Sequence, residues 1–409
     1  MTRFIQHYGC LPTLPGTPAT VANSITLDSF GPLPVECPAS AAELCDLVKR
    51  TRAAKHGLYP IGGRTTLDFG LPPIKPGVAC DTSALSGVVD YPARDMTITA
   101  RAGTTIAALQ AELAGEGQWL PIDVPFPDRA TLGGAVATNA SGPRRFGHGT
   151  LRDYVIGISF VSDDGVEVKA GGRVVKNVAG YDLMKLQIGA LGTLGVITQL
   201  TLKVKPKPEA STVVALGCDA AALGAVLDRL AASKTRPIAV ELLNAAAWRE
   251  TRIGAPVTAP WVIVVGFEEK ATAVRWQVET LIDELKAVSV RDVTELPDTS
   301  IFDALTALQL RTGTRFLGKL SVLPRKLADT ILELPSDSLV HAHALNGVAW
   351  VHSDEVLPEG ATVRRCPAER KKALQVEGPV PSSWELMRHV KQTLDPDNVF
   401  NPGRLFGDI

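Results

Sequence analysis

At 409 residues the chain is two to three times the usual ~150-residue domain, so more than one folding unit is expected and a lone small binding module is excluded. Its 45% hydrophobic and 21% charged residues are globular proportions, which excludes a disordered or fibrous chain. The 42 basic side chains against 43 acidic ones leave a formal charge of -1, too little to hold nucleic acid or an anionic membrane by a net field.

Residues 1–33 read as an N-terminal arm, because prolines interrupt the stretch where a secretory signal would carry its apolar segment. From Pro34 to Pro208 short β-like runs alternate with helical ones, which predicts an α+β domain. The first helix is marked by a capping box of Ser40 and Glu43, by Leu44, Leu47 and Val48 on one face, and by Gly57 as its stop. Strands are expected at 58–61, 96–100, 154–161 and 195–204, with a hairpin turn at 162–165. After the basic, proline-punctuated 203–210 the composition shifts, and a boundary is placed at 209. Strand 212–217, helix 220–233, strands 237–243 and 261–267, helix 270–286 and strand 287–293 then follow the split βαβ order, a ferredoxin-like cap running to 355. Residues 356–409, with a helix over 384–394, are expected to return to the first domain. The cysteines at 10, 37, 45, 80, 218 and 366 form no CxxC or CxC pair, so no zinc or iron–sulfur site is expected. The longest apolar runs, such as 261–267, fall far short of the ~20 residues of a membrane span, and a cytoplasmic protein, with peripheral attachment at the inner membrane face left open, is expected.

Three glycine-rich segments carry the ligand signal: PIGGRTTL at 60–67, TLGGAVATNASGPRRFGHG at 131–149 and GALGTLGVI at 189–197. Peptide N–H groups approach phosphate oxygens only where no side chain intervenes, and a helix starting at Thr131 would add its dipole. None has the G-x-G-x-x-G spacing of a Rossmann turn or the GK[ST] of a P-loop. A large anionic ligand bound in another way is the expectation.

In this order the segments across 35–206 resemble the FAD-binding domain shared by vanillyl-alcohol oxidase and p-cresol methylhydroxylase. Residues 171–206 and DPDNVFNPGR at 395–404 resemble the glycolate oxidase and D-lactate dehydrogenase branch, in particular the E-type FAD-binding subunits of bacterial glycolate oxidase. The cap is matched only through AVELLNAAAW at 239–248. The resemblance implies an α+β fold, a two-part PCMH-type FAD-binding domain with its cap. It implies a pyrophosphate loop of Pro60, Ile61, Gly62, Gly63, Arg64, Thr65, Thr66, Leu67 and Asp68. Thr131, Leu132, Gly133, Gly134, Ala137, Thr138, Ser141 and Gly142 would line the diphosphate and isoalloxazine, with Gly195, Val196 and Ile197 at the adenine side or ring edge. Covalent members of the family use a histidine in the pyrophosphate loop, absent here; His56 precedes that loop and His148 is placed in a surface turn, so noncovalent FAD is expected.

Catalytic members of the branch carry GHAGDGN and GEHG segments for metal and base. Here the first is reduced to AHALNGVAW at 342–350, with His343, Gly347 and Asn346 in place of the aspartate, and the second has no counterpart around Glu377, so no metal site is expected. His341 and His343, two apart, share a face on a strand: either two metal ligands or two polar residues turned to solvent or a cleft. Lys319 and Arg315 offer a substrate carboxylate site or a solvated basic edge, while Lys176 and Tyr181 read as pocket scaffolding. Lys319 and His343 stand as substrate candidates, with no residue assigned to catalysis. The implied assembly is a glycolate oxidase complex with a homologous catalytic flavoprotein D subunit and an iron–sulfur F subunit, oxidising a small 2-hydroxy acid. A stand-alone FAD oxidase of another alcohol and a non-catalytic flavin-binding scaffold remain the alternatives.

Overall fold

The computed structural model describes residues 24–409 except 174–181, 255, 256, 297, 311, 312, 372, 375 and 377. Cys10, Lys176, Tyr181, Glu377 and the arm before residue 24 lie outside the described residues.

Residues 24–33, expected in the arm, are sheet. β1 (Ser24–Leu27) and β2 (Phe30–Glu36) form an antiparallel hairpin whose turn, Asp28 and Ser29, has φ of 50° and 68°. Leu27 and Leu33 bury against Tyr59 and Ile61. Helix α1 (Ala41–Ala53) starts at Ser40, whose hydroxyl accepts the Glu43 N–H at 3.2 Å. It does not stop at Gly57. Lys55 takes the left-handed conformation at φ 57°, and Gly57 opens β3 (Gly57–Ile61), where a side-chain carbon would lie 2.7 Å from Pro402. β3 and β4 (Gly77–Asp81) run parallel beside the hairpin, in the order β1-β2-β4-β3.

β5 (Val88–Asp90) and β6 (Thr97–Arg101) open the second sheet, followed by helix α2 (Ile106–Gly115), the short β7 (Gln118–Trp119) and helix α3 (Leu132–Thr138). β8 (Val155–Val161), β9 (Glu167–Gly171) and β10 (Val196–Lys203) complete it in the antiparallel order β5-β6-β10-β8-β9, and β11 (Lys205–Pro206) pairs with β7. One face of this sheet packs on α2 and α3 through Ile98, Leu109, Leu132, Val136 and Leu200.

The cap is one antiparallel sheet of eight strands. β12 (Ala210–Cys218), β13 (Ala239–Asn244), β14 (Trp261–Glu269) and β15 (Arg291–Leu296) stand in the ferredoxin-like order β15-β12-β14-β13. The near-continuous apolar run of β14 is explained by burial on both faces. Helices Leu223–Ala231 and Ala271–Leu285 cover one face, and Ile301, Phe302 and Leu305 of helix Ser300–Leu308 cover the other. Beyond β13 the sheet continues with β16 (Phe316–Ser321), β17 (Leu339–His343), β18 (Val348–Ser353) and β19 (Thr362–Arg365), in the order β17-β18-β16-β19. The segment past 355 therefore first supplies the cap's edge strand. After helix Trp384–Leu394 it reaches the first sheets, where Val399 and Phe400 pack among Leu44, Leu47 and Leu58 and the Leu58 N–H donates to the Val399 carbonyl at 2.6 Å.

Arg144 joins the two parts, pairing with Asp123 at 2.5 Å and with Glu268 of β14 at 2.8 Å. Among the described residues no helix is long and apolar enough to cross a membrane.

Candidate functional site

A cleft of about 1410 Å³, counting the solvent within its mouth, runs between the glycine-rich segments and the cap. Its first wall is backbone. A side-chain carbon on Gly63 would lie 1.9 Å from the Arg129 carbonyl oxygen, and one on Gly62 2.4 Å from the Thr131 hydroxyl. The loop after β3 can thus lie against 129–131 only as glycine. Arg64, at φ 56°, turns the chain and pairs with Asp81 at 2.9 Å. The loop 189–192 is tied alongside α3 by Gly189 N–H to the Val136 carbonyl and Leu191 N–H to that of Ala137, at 3.0 and 2.9 Å. Asn401 donates its amide to the Leu191 carbonyl at 2.6 Å. The first-turn N–H groups of α3 do not await a ligand: those of Leu132, Gly133 and Gly134 already reach Thr104, Ala102 and Thr131. Gly134 is exposed within the cleft, and a side-chain carbon there would meet only the Thr131 hydroxyl at 3.1 Å.

The second wall is side chains of the cap. Lys319 on β16 stands opposite Trp350 on β18, its ammonium 5.8 Å from the indole centroid. Arg364 comes from the neighbouring β19 and lies 4.9 Å above the Phe69 ring. The Arg364 Nε and Trp350 Nε1 atoms are buried with no hydrogen-bond partner among the described residues. Burial, then the nearby Arg364 and Arg145 charges, push the Lys319 ammonium down to about 8, and burial pushes Arg364 down to about 10. Among the described residues lining the cleft there is no aspartate, glutamate, histidine or cysteine.

Behind this wall lies a buried triad. His341 Nε2 donates to Glu241 at 2.6 Å and His343 Nδ1 at 2.9 Å, all three side chains at most 1% exposed. Burial alone would raise the Glu241 carboxyl, but the His343 charge and both histidine hydrogen bonds outweigh it and hold the carboxyl at about 2. Two histidines and a glutamate are a donor set zinc accepts. Here the facing nitrogens are spent on the carboxylate, and the neighbouring charge is the Arg145 cation.

Residues 32–171 match the FAD binding domain family, and residues 370–405 match the C-terminal domain of FAD linked oxidases. Over 382 residues the chain is 30% identical to glycolate oxidase subunit GlcE of Escherichia coli (strain K12), covering 91% of this chain and 99% of that protein. The chain belongs to the FAD-linked oxidase family. This FAD-linked oxidase is also 26% identical over 409 residues to a D-lactate dehydrogenase of Archaeoglobus fulgidus, with 90% of each chain covered. In fold it matches 4-ethylphenol oxidase from Gulosibacter chungangensis at TM-score 0.68 and 12% identity, over 90% of this chain and 88% of that one. It is an FAD-dependent oxidoreductase of PCMH-type α+β fold.

The residues fit the cofactor: a wall of glycine backbone at 62–63 and 133–134, and no acid among the described lining residues to repel a diphosphate, while the lining cations Arg64 and Arg404 are paired with Asp81 and Asp28. Of the residues the sequence pointed to, Pro60 to Leu67, Thr131, Gly133, Gly134, Ala137, Thr138, Ser141, Gly195, Val196, Ile197 and Lys319 line the oxidase's cleft. Asp68, Leu132, Gly142 and His343 do not. The Asp68 carbonyl accepts from Lys371, Leu132 is core, Gly142 lies against Asp123 and Thr306, and His343 is in the triad. His341 and His343 share a face as expected, turned to Glu241 rather than to solvent. Arg315 is exposed beside Phe316, and His148, half-buried at the end of the short helix Arg145–His148, binds Glu268 at 3.2 Å. Sequence reasoning missed Gln309, Trp350, Arg364, Asn401 and Arg404. Asn401 and Arg404 had a signal inside the 395–404 motif, and Trp350 closes the AHALNGVAW segment at 342–350.

Proposed function

We propose that this chain is the FAD-binding subunit of a glycolate oxidase complex, holding FAD noncovalently and admitting a small 2-hydroxy acid, glycolate or a near relative. The observation that carries the reading is the pair Lys319 and Arg364: two cations on the cleft wall with no carboxylate among the groups that shift them. Burying a cation without a counter-charge is costly, so the missing charge comes with the ligand. A carboxylate answers both, and the orphaned Arg364 Nε and Trp350 Nε1 supply donors for its oxygens.

FAD, when bound, supplies the acceptor for the two electrons and the hydrogen leaving the α-carbon. The chain's own residues bind and orient: the glycine backbone at 62–63 fixes the diphosphate, and Lys319 with Arg364 fixes the acid end. The lack of histidine or cysteine along the described lining supports a noncovalent flavin. The relatives named glycolate oxidase subunit GlcE and GlcD support a complex, with a homologous D-type flavoprotein and an iron–sulfur subunit taking the electrons onward. One feature favours a flavin-carrying role over independent turnover: no histidine or acid on the described lining stands ready to take the hydroxyl proton.

The test is the visible spectrum of the purified chain, followed anaerobically as glycolate is added. Bleaching of the flavin without partners gives this polypeptide its own acid site. Flavin that stays oxidised until the partners are supplied assigns the chemistry to the complex. A chain isolated under native conditions and reconstitution with FAD, yet lacking flavin, would sink the reading.

A further inference from the structure

Gln309 follows helix Ser300–Leu308, is 2% exposed to outside solvent, and lines the cleft on the cap side with Lys319 and Arg364. Its Nε2 lies 3.3 Å from His343 Nε2. The triad behind it fixes which ring nitrogen that amide meets. Glu241 is an ionised acceptor, so His343 must donate to it from Nδ1, at 2.9 Å. Gln309 turns its amide nitrogen, not its oxygen, to the ring's other nitrogen, His343 Nε2. His341 faces the same carboxylate through its Nε2, and its Nδ1 has no partner among the described residues. The amide of Gln309 is thereby latched by its nitrogen, and its carbonyl oxygen is the end free for a ligand.

We propose that Gln309 binds the α-hydroxyl of the substrate through its carbonyl oxygen, and that Glu241 and His343 are the positioning residues that hold the amide in that orientation. This rests on the 2-hydroxy acid reading above and deepens it. Lys319 and Arg364 take the carboxylate, which any small acid offers; Gln309 tells a 2-hydroxy acid from the same acid without its hydroxyl. The hydroxyl donates to the Gln309 oxygen, an acceptor set in place before the ligand arrives, so little ordering is needed on binding. A site built to hydrogen-bond a hydroxyl rejects the analogue lacking it, because its polar group is left without a partner.

The experiment uses the FAD-loaded chain, reduced with dithionite under anaerobic conditions so that no turnover occurs, and titrated calorimetrically. The ligands are the matched pairs glycolate and acetate, and D-lactate and propionate. The unaltered protein is expected to prefer each hydroxy acid about tenfold, the worth of one net hydrogen bond of about 1.4 kcal/mol. Gln309→Leu should bring the members of each pair within about twofold by weakening only the hydroxy acid, with flavin content unchanged. His343→Leu should do the same without touching the cleft, an effect that packing loss alone would not confine to one member of a pair. If His343→Leu fails to fold, Gln309→Leu still decides, since it leaves the Glu241 hydrogen bonds in place. A hydroxyl preference that survives Gln309→Leu overturns the assignment, as does equal binding of both members by the unaltered protein. Binding of neither acid removes the 2-hydroxy acid reading and this assignment together, a result distinct from equal binding.

Discussion

The two walls of the cleft are built on opposite economies. The flavin wall is satisfied backbone, packed so closely at Gly62 and Gly63 that no side chain fits, with the first N–H groups of α3 bound inside the protein. The cap wall is side chains with charge and hydrogen-bonding capacity left over: Lys319, Arg364 and Trp350. A surface complete in itself presents a shape. A surface with cations left unpaired among the described residues presents a demand, and under the proposed function the difference separates what would hold the cofactor from what would select the substrate.

The contrast breaks most sharply at Gly63. Gly63→Val places carbon within 1.9 Å of a carbonyl oxygen and should cost about 3 kcal/mol or more, read as loss of soluble folded protein or a large drop in melting temperature. Gly134→Val, in the first turn of α3, meets only a hydroxyl at 3.1 Å and points into the cleft. It should fold normally while flavin content falls about tenfold, checked by the ratio of 450 nm to 280 nm absorbance. If both substitutions unfold the protein, the flavin wall is no template with a free face.

On the other wall, Lys319→Met should weaken carboxylate binding roughly tenfold to a hundredfold while leaving the melting temperature of the ligand-free protein unchanged or higher, because a buried cation with no acidic counter-charge among the described residues is removed. The pH dependence sharpens the same point. The Lys319 ammonium sits at about 8, so affinity for the acid should fall as pH rises through that value, and Lys319→Arg should flatten the profile. The smallest effect belongs to the triad. The Glu241 carboxyl is held at about 2, below its unfolded value, so the stability it contributes is present above the ordinary carboxyl range and is lost as pH falls toward 2. Glu241→Gln should remove that part of the acid dependence in a melting-temperature series.

How much of this was readable from the sequence follows the same division. Glycines that lie against a backbone are a local requirement, so 60–67 and 131–138 were legible as one wall of the cleft, and Ser40 with Glu43 placed the start of α1 correctly. The cap wall depends on the order of strands. Lys319 stands beside Trp350 and near Arg364 only because β16 lies between β18 and β19, and no spacing along the chain encodes that neighbourhood. His341 and His343 were read as sharing a face, but the partner that decides what they do, Glu241, is 100 residues away on β13. The hairpin at 24–36 was lost among prolines that looked like an arm, although Leu27, Leu33 and Val35 alternate inward.

Arg404 gives the cofactor loop a history as well as a shape. Its guanidinium gathers the carbonyls of Leu67, Phe69 and Leu71 and the carboxylate of Asp28, so the loop that follows β3 is fastened by a residue 337 positions further along the chain than Leu67. At a synthesis rate of about 5–20 residues per second, that interval is roughly 20–70 s. Throughout it the loop after β3 has its glycines but not its clasp, while the rest of the cleft and the whole cap are being made. The glycine wall is therefore the side of the cleft finished last, after the cap, and cofactor capture waits on the arrival of the segment that also supplies Asn401.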